Sequence, residues 1–371
     1  MKRLVLLGAG HAHLLVLREL ARSPRSDIEL VVITPTVWQY YSGMVPGWVA
    51  GLYALDQCRI NVAPLVAAAG GRLCLDRSVR LQASDRTVEL HSGVVEGYDY
   101  LSIDTGSSTR MGTLTAFEGE QVPVKPIEAF CEQWQQVQPR LMSAPGGHIA
   151  VVGGGAGGVE LAMAIRESLK TTPADGKDFR VSLVAGDKGV LPEFNAGVRR
   201  RVRKQLAQAG ITRVDARAEV RQGRLVTSAG QTIEADLVLA ATGAKAASWL
   251  EGSGLALDTE GFVSVTPCHQ SLSHPAVFAA GDVCSRQDGR LSRSGVHAVR
   301  AGPVLAHNLK AALDQRPLKP FNPRPYALYL LSCGQGSAIG SYGPLAFSGR
   351  WVWRLKDWID RRFVEGFDQP A

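Results

Sequence analysis

The feature that most constrains this chain is a strand, glycine turn and helix that occur twice. An apolar run at residues 4–7 enters GAGHAH, and another at residues 149–152 enters GGGAGG. Each turn is followed by helical periodicity and then by a second apolar run, at residues 28–33 and 181–184. Such units pair parallel strands through a crossover helix. The sequence therefore predicts an α/β protein with two Rossmann-like dinucleotide-binding domains and a small C-terminal α+β region.

Composition limits the classes of protein that this chain can be. Its 371 residues exceed one compact core, and 45% apolar with 20% charged residues is typical of a globular enzyme. A net charge of +7 favours anionic partners, but charge alone does not choose among nucleotides, acidic lipids and nucleic acid. No run approaches the length of a membrane span. The six cysteines form no CxxC pair, which predicts neither a disulfide scaffold nor a metal site and fits a reducing cytoplasm.

The second glycine turn carries the stronger nucleotide signal. Gly153, Gly155 and Gly158 satisfy GxGxxG between a strand and a helix, where the backbone can approach a pyrophosphate and the helix dipole favours its charge. The strand after that helix ends in VSLVAGDK, without the usual acid that hydrogen-bonds the ribose. Asp187 could replace that acid, or Lys188 could meet a 2′-phosphate. NADH and NADPH therefore both remain open.

The first glycine turn is incomplete. Gly8 and Gly10 keep the two glycines that shape the turn and admit the phosphate, while His13 replaces the glycine that serves close helix packing. The following strand ends at Thr34 instead of an acid. We predict a nucleotide beside this turn, with His11 and Ala12 among its contacts, and a plain strand-to-helix turn is the alternative.

Three later motifs give these turns a context. YLSIDTG ends at Thr105 and Gly106, LVLAATG ends at Gly243, and VFAAGDV contains Gly281 and Asp282. In chain order the motifs are GxG, (D/A)TG, GxGxxG, ATG and AGD. This order resembles the pyridine nucleotide-disulfide oxidoreductase superfamily, over residues 1 to about 315.

The resemblance implies FAD in the first domain and NAD(P)H in the second. FAD would lie on Gly8 and Gly10, with its ribityl chain on Asp282. The helix from Val296, with His297, would point its positive end at the flavin ring. The other residues that the resemblance places at the two cofactors are His11, Ala12, Thr34, Val79 near the adenine, Thr105, Gly106, Gly281, Gly153, Gly155, Gly158 and Gly243.

Two residues are predicted to be catalytic. Glu160 matches a glutamate that similar enzymes place near the nicotinamide and the flavin, where it would tune the flavin or relay a proton. An ordinary solvated acid at a helix start is the alternative. Lys125 is either a cation beside the flavin pyrimidine edge or a solvated side chain.

The branch of the superfamily is indicated by longer segments. The redox CxxxxC of disulfide reductases is absent. Cys333 stands where sulfide:quinone oxidoreductases carry a redox cysteine, although a buried inert thiol is favoured. GAGHAHLLVLR, YYSGMVPGWVAGLY, VPVKPIE, SGVHAVRAGPVLAHNL and WRLKDWIDRRF resemble the type II NADH dehydrogenase-like family found alone or fused ahead of selenide, water dikinase. In that family a histidine at position 13 is ordinary, so the resemblance implies that the first turn binds FAD.

The function implied is an FAD-dependent NAD(P)H oxidoreductase. Hydride would pass from NAD(P)H to FAD, and electrons would pass on to a quinone or another acceptor. Three alternatives stay open: a sulfide:quinone-type oxidoreductase, an electron-transfer accessory protein in selenium metabolism, and a nucleotide-binding protein without turnover. No nucleic-acid partner is expected, and a homodimer is left open.

The expected domain division is discontinuous. Residues 1–122 and 262–320 form the FAD domain, residues 123–261 the NAD(P)H domain and residues 321–371 an interface or membrane-surface region. The last segment, RWVWRLKDWIDRRF, has helical spacing. It could lie on the cytoplasmic face of a membrane, or pack on the flavin domain or a second subunit, which is favoured. Its predicted apolar face comprises Val352, Leu355, Ile359 and Phe363 beside Trp351 and Trp358, and its polar remainder comprises Arg354, Lys356, Arg361 and Arg362.

Overall fold

The computed structural model describes residues 1–144, 146–170, 178–289, 291, 293–334 and 336–367. The strands are β1 (Lys2–Leu7), β2 (Ile28–Thr34), β3 (Trp38–Tyr40), β4 (Arg59–Asn61), β5 (Arg72–Leu75), β6 (Ser78–Gln82), β7 (Thr87–Leu90), β8 (Val95–Gly97), β9 (Tyr100–Ile103), β10 (Ser108–Thr109), β11 (Glu120–Pro123), β12 (Gly146–Val152), β13 (Asp178–Val184), β14 (Thr212–Val214), β15 (Ala218–Arg221), β16 (Arg224–Thr227), β17 (Leu237–Ala240), β18 (Ala244–Lys245), β19 (Val263–Val265), β20 (Val277–Ala279), β21 (Cys284–Arg286), β22 (Leu328–Ser332), β23 (Ala338–Tyr342) and β24 (Leu345–Gly349). The helices are α1 (His11–Arg22), α2 (Val45–Val49), α3 (Val62–Ala68), α4 (Ile127–Ser143), α5 (Ala156–Lys170), α6 (Ala196–Gln208), α7 (Gly295–Leu313) and α8 (Arg350–Glu365). Both predicted strand, turn and helix units are confirmed.

The first large sheet is parallel and has the strand order β20-β9-β1-β2-β5. Both of its faces are covered, as a parallel sheet requires. In β1, Leu4 and Leu6 pack with the core under α1 and α7, whereas Val5 and Leu7 pack with the core on the opposite face. The two helices approach closely at Gly302, where a Cβ would lie 2.7 Å from the Leu15 side chain. This sheet brings the first glycine turn beside the ends of β2, β9 and β20.

The second large sheet is also parallel, with the order β11-β17-β12-β13-β14. Its central strands are almost wholly apolar and buried, and α5 and α6 pack against it. The second glycine turn lies at the carboxyl end of β12. The α/β fold with two Rossmann-like units is confirmed.

Residues 120–122 differ from the sequence expectation. Residues 1–122 were assigned to the first domain, but β11 pairs with β17 in the second sheet. The chain also links the two units through β10, which pairs antiparallel with β18. The domain division itself stays a prediction, with β11 belonging by its hydrogen bonds to the second unit.

The C-terminal region is a three-stranded antiparallel sheet, β22-β23-β24, followed by α8. The prediction that Val352 packs inward is confirmed, but further along α8 the buried positions are Lys356, Asp360 and Val364, each one residue after the predicted ones. Leu355, Ile359 and Phe363 are only half-buried. The assignment of Lys356 to the polar remainder was wrong, because its ammonium pairs with Asp360 inside the protein. Trp351 and Trp358 instead face solvent, at 56% and 57% exposure.

The part of the chain that the structure describes shows neither a membrane-spanning helix nor a metal-binding cluster. No helix in it has the length and apolar content needed to traverse a bilayer. No group of three or more His, Cys, Asp or Glu side chains in it could hold a metal ion, and the cysteines in it are free.

Candidate functional site

The carboxyl edge of the first sheet gathers the first set of predicted residues. β1 ends before Gly8, β2 ends at Thr34, β9 leads into Thr105 and Gly106, and β20 leads into Gly281. Gly8 has φ +85°, and a Cβ there would lie 2.5 Å from the Asp104 carbonyl oxygen, so only glycine fits. At Gly106 a Cβ would meet nothing within 4 Å. The edge is therefore tightly packed beneath the turn and open above it, which suits a bound dinucleotide.

His13 does not block this edge. Its ring is fully buried beneath the turn, with Nδ1 2.5 Å from the Gly8 carbonyl oxygen and Nε2 2.8 Å from Ser102 Oγ. Burial lowers the pKa of His13 to about 4, although the contact with the Gly8 carbonyl opposes that shift. The neutral imidazole thus replaces the third glycine as a structural link between α1 and β9.

Asp104 was not singled out from the sequence. Its buried carboxylate accepts hydrogen bonds from the backbone N–H groups of Ala12, at 2.8 Å, and His13, at 3.0 Å. Burial raises the pKa of Asp104 to about 7, the two N–H bonds lower it, and the nearby Asp282 charge raises it. The backbone N–H of Ala12, a residue predicted at the cofactor, therefore already has a partner within the protein. The aspartate of the IDTG motif could have indicated this role, because a carboxylate is favoured at a helix N-terminus and Asp104 lies at that of α1.

The start of α7 meets the start of α1 at this edge. Buried atoms without a hydrogen-bond partner among the described residues include His11 Nε2, Ser294 Oγ and His297 Nδ1. Burial lowers the pKa of His11 to about 4, opposed by the charge of Asp282. Val296 follows Gly295 in the first turn of α7. Orphaned polar atoms at two helix N-termini are what a polar ligand would satisfy.

Lys125 and Asp282 bring the two units together. Lys125 follows β11, and its ammonium nitrogen lies 2.5 Å from Asp282 Oδ2 and 3.2 Å from Ser107 Oγ. The Lys125 backbone N–H is fixed by Thr109 Oγ1 at 2.8 Å. Lys125 is thus a paired cation whose side chain is 26% exposed, and its predicted place beside the flavin stays a prediction.

The second glycine turn has three different environments. A Cβ at Gly153 would overlap the Ala241 carbonyl oxygen, and one at Gly158 would overlap the Gly153 carbonyl oxygen. A Cβ at Gly155 would meet nothing within 4 Å. Gly153 and Gly158 therefore serve the turn and its close packing, whereas Gly155 leaves open space for a ligand. Gly243 follows β17 at the same edge and also faces open space.

Glu160 lies on α5 and points at the C-terminal sheet. Its Oε1 accepts a hydrogen bond of 2.8 Å from the Ser332 backbone N–H. Burial raises the pKa of Glu160 to about 7, the Lys356 ammonium and the Ser332 bond lower it, and Asp360 raises it. A carboxyl poised near neutrality can hold or release a proton, and the hydrogen bond from Ser332 distinguishes Glu160 from an ordinary solvated acid.

A buried ionic cluster from α8 neighbours Glu160, and the sequence reading missed it. Lys356 Nζ lies 2.5 Å from Asp360 Oδ2 and donates to the Gly43 carbonyl oxygen at 2.6 Å. Tyr41 hydrogen-bonds Asp360, and burial raises the pKa of that phenol. Lysine and aspartate four residues apart on an amphipathic helix usually form a surface pair. Only the tertiary packing shows that this pair is enclosed.

Two further predicted residues lie at the edges of the site region. Val79 is 44% exposed on β6, in the three-stranded sheet β6-β7-β8. Cys333 follows β22, and burial raises the pKa of its thiol to about 12, with the Glu160 charge acting in the same direction. A thiol held in its neutral form is a poor nucleophile. The structure thus agrees with an inert Cys333.

The fold and the two glycine-lined edges define a class: proteins with two Rossmann-like dinucleotide-binding units. The family model for pyridine nucleotide-disulphide oxidoreductases matches residues 2–307. The chain belongs to the pyridine nucleotide-disulphide oxidoreductase family, and its cofactors are FAD and NAD(P)H. The resemblance inferred from the five motifs is confirmed, as are both cofactors and the oxidoreductase class.

Relatives and solved structures agree with this membership. An NADH dehydrogenase-like protein of Mycobacterium tuberculosis (strain H37Rv) is 26% identical over 360 residues, which is 92% of this chain and 88% of the relative. Ferroptosis suppressor protein 1 of Mus musculus is 26% identical over 292 residues, or 75% of this chain and 72% of the relative. The sulfide:quinone oxidoreductase of Aquifex aeolicus superposes with a TM-score of 0.81 at 16% identity, covering 100% of this chain and 92% of that one. The NDH2 of Plasmodium falciparum in complex with NADH gives a TM-score of 0.79 at 13% identity, covering 100% and 99%.

Proposed function

We propose that this protein is an FAD-dependent NAD(P)H oxidoreductase that delivers electrons to a quinone or another small acceptor. The observation that carries the proposal is the ion pair between Lys125 and Asp282. It joins the carboxyl edges of the two parallel sheets, each of which carries a glycine turn. Ligands on the two edges would then share one cleft. NADH dehydrogenase-like relatives support the donor side, and solved quinone oxidoreductases of the same fold support the acceptor side.

Each edge would hold one dinucleotide. In the first unit, Gly8, Gly10 and the start of α1 would receive the FAD pyrophosphate, and Asp282 would accept a hydrogen bond from a sugar-chain hydroxyl. The orphaned atoms of His11 and His297 would gain partners there. Gly106, Gly281, Thr34, Thr105, Val79, Ala12 and Val296 complete the proposed FAD contacts.

In the second unit, Gly155 would admit the NAD(P)H pyrophosphate, with Gly153 and Gly158 shaping the turn and Gly243 bordering the cleft. Bound FAD supplies the hydride and electron chemistry, and the protein orients the reactants. Lys125 would place a positive charge at the cleft. Glu160, beside the Lys356 and Asp360 pair, would hold or release a proton close to neutral pH.

A membrane surface is proposed as the location of the acceptor. The exposed stripe of α8 consists of Trp351, Arg354, Trp358 and Arg362, and the Arg362 guanidinium lies 5.4 Å from the Trp358 ring centroid. Leu345, 60% exposed in the preceding hairpin, extends the apolar part. Tryptophans with cations on one helical face suit the boundary between lipid headgroups and acyl chains. Sedimentation with phosphatidylglycerol vesicles tests whether this face binds a membrane. Trp351→Ala/Trp358→Ala is expected to lose binding, whereas the control Arg224→Ala, at an exposed site on β16, is expected to keep it.

The experiment that tests the proposed function is anaerobic mixing of the purified protein with NADH or NADPH. Loss of the absorbance of oxidised flavin is expected with at least one donor, and its return is expected when a soluble quinone is added. A protein that purifies without flavin, or a flavin that neither donor bleaches, would contradict the proposal.

A sulfide:quinone-type activity is the second candidate, supported by the fold shared with the Aquifex aeolicus enzyme. The raised pKa of the Cys333 thiol disfavours it. Bleaching of the flavin by sulfide, lost in Cys333→Ser, would favour this candidate over an NAD(P)H donor.

A further inference from the structure

The strand that follows the second glycine turn ends against that turn. β13 ends at Val184, and a Cβ at Gly154 would lie 2.5 Å from the carbonyl oxygen of the next residue, Ala185. The Ala185 backbone N–H donates to the Val214 carbonyl oxygen at 2.8 Å, which fixes this position within the sheet. Ala185 is buried. It therefore occupies the place beside the pyrophosphate turn from which a side chain reaches the adenosine ribose.

An acid at this place would select NADH. A carboxylate accepts a hydrogen bond from the ribose 2′-hydroxyl and repels the 2′-phosphate of NADPH. Ala185 can do neither. The barrier against a 2′-phosphate is therefore absent from this position.

The nearest carboxylates in the chain are engaged elsewhere. Asp187 Oδ1 accepts a hydrogen bond of 3.1 Å from the Arg217 backbone N–H, in the loop after β14. Asp215 Oδ2 lies 3.0 Å from Arg213 Nε. Asp187 thus connects the loop after β13 to the loop after β14, a structural role that the sequence did not indicate.

The same edge carries exposed cations. Lys188 lies in the turn after β13, and Arg217 follows β14, the neighbouring parallel strand. With Arg213, they outnumber the carboxylates Asp187 and Asp215. We propose that Ala185, Lys188 and Arg217 form a subsite for the 2′-phosphate, so that the protein binds NADPH in preference to NADH. This inference rests on the proposed NAD(P)H site in the second unit.

Calorimetric titration of the purified flavoprotein with NADP⁺ and with NAD⁺ tests the subsite without turnover. The dissociation constant of NADP⁺ is expected to be about tenfold lower than that of NAD⁺. Ala185→Glu is expected to weaken NADP⁺ about tenfold and to leave NAD⁺ as tight or tighter. Lys188→Ala/Arg217→Ala should weaken NADP⁺ alone, and the effect should shrink at high salt.

The controls separate this inference from the proposed function. Lys204→Ala, an exposed cation on α6, should change neither constant, and Asp187→Asn should not weaken NAD⁺ selectively. Two results would overturn the proposed 2′-phosphate subsite: NAD⁺ binds as tightly as NADP⁺, or the dissociation constant of NADP⁺ is unchanged in Lys188→Ala/Arg217→Ala. Both can be measured even if Ala185→Glu does not fold. If neither NADH nor NADPH bleaches the flavin, the proposed function fails; if both bleach it but NAD⁺ binds more tightly than NADP⁺, only the coenzyme preference fails.

Discussion

Lys125 Nζ and Asp282 Oδ2 lie 2.5 Å apart although 157 residues separate them in the chain. Lys125 extends from the end of β11 in the second sheet, and Asp282 follows β20 in the first. This charge pair therefore links the carboxyl edges of the two sheets, and both side chains remain partly exposed, at 26% and 19%.

We predict that Asp282→Ala purifies with less than about a tenth of the wild-type flavin content, because the proposed acceptor for a sugar hydroxyl and the partner of Lys125 are both lost. The ratio of flavin to protein absorbance measures this. Asp85→Ala, an exposed carboxylate of the same unit, is the matched control. Full flavin content in Asp282→Ala would remove this residue from the site.

The glycine environments predict different outcomes for neighbouring substitutions. Gly155→Ala should fold normally but weaken NADP⁺ and NAD⁺ about tenfold or more, because its methyl group would project into the open space proposed for the pyrophosphate. Gly157→Ala, whose Cβ also meets no protein atom within 4 Å, is the control and should retain affinity. Calorimetric dissociation constants distinguish the two. Equal affinity of Gly155→Ala and wild type would place the coenzyme elsewhere.

The buried pair in α8 predicts a large asymmetry in stability. Lys356→Met should lower the free energy of unfolding by about 3–5 kcal/mol, since Asp360 and Glu160 would be left without a cation. Lys356→Met/Asp360→Leu should recover much of that loss, because the pair is replaced by apolar groups. Urea unfolding of the three proteins measures both values. A double variant no more stable than Lys356→Met would show that the pair does not act as a unit.

Glu160 and Asp104 predict that the free energy of unfolding falls as pH rises from their ordinary pKa values, 4.5 and 3.8, through about 7. Their folded pKa values, raised to about 7, mean that the native state binds more protons there than the unfolded state. Each therefore lowers stability as pH rises, by about 1 kcal/mol between pH 6.5 and 8. Glu160→Gln should lose that part of the slope.

The lowered pKa values of His11 and His13 make stability rise with pH in the same range, which opposes the effect of the carboxyls. This contribution is the same in wild type and in Glu160→Gln, so it cancels when their slopes are compared. Asp104→Asn should remove a similar part of the slope and also weaken the start of α1, where the carboxylate accepts two N–H bonds. An identical slope in Glu160→Gln and wild type would show that the Glu160 carboxyl titrates as a solvated acid.

Short-range sequence patterns predicted much of the fold. Strand, glycine turn and helix are short-range patterns, so α1, α5, α7 and their flanking strands were recognisable from residue type and spacing alone. The predicted apolar face of α8 was correct at Val352 and off by one position beyond it. Its buried Lys356 offers no local signal, since charge in a helix is normally solvated.

The sequence by itself determined that two nucleotide-type units exist, because a turn that combines positive φ with close backbone packing, as at Gly8 and Gly153, requires glycine and leaves a recognisable spacing in the chain. Only the tertiary structure decided which polar groups meet. Lys125 reaches Asp282, Asp104 caps α1, and Lys356 lies beside Glu160, each across a long sequence separation. The free energy of such pairs depends on burial and distance, and these are fixed by the packing of sheets and helices rather than by neighbours in the chain.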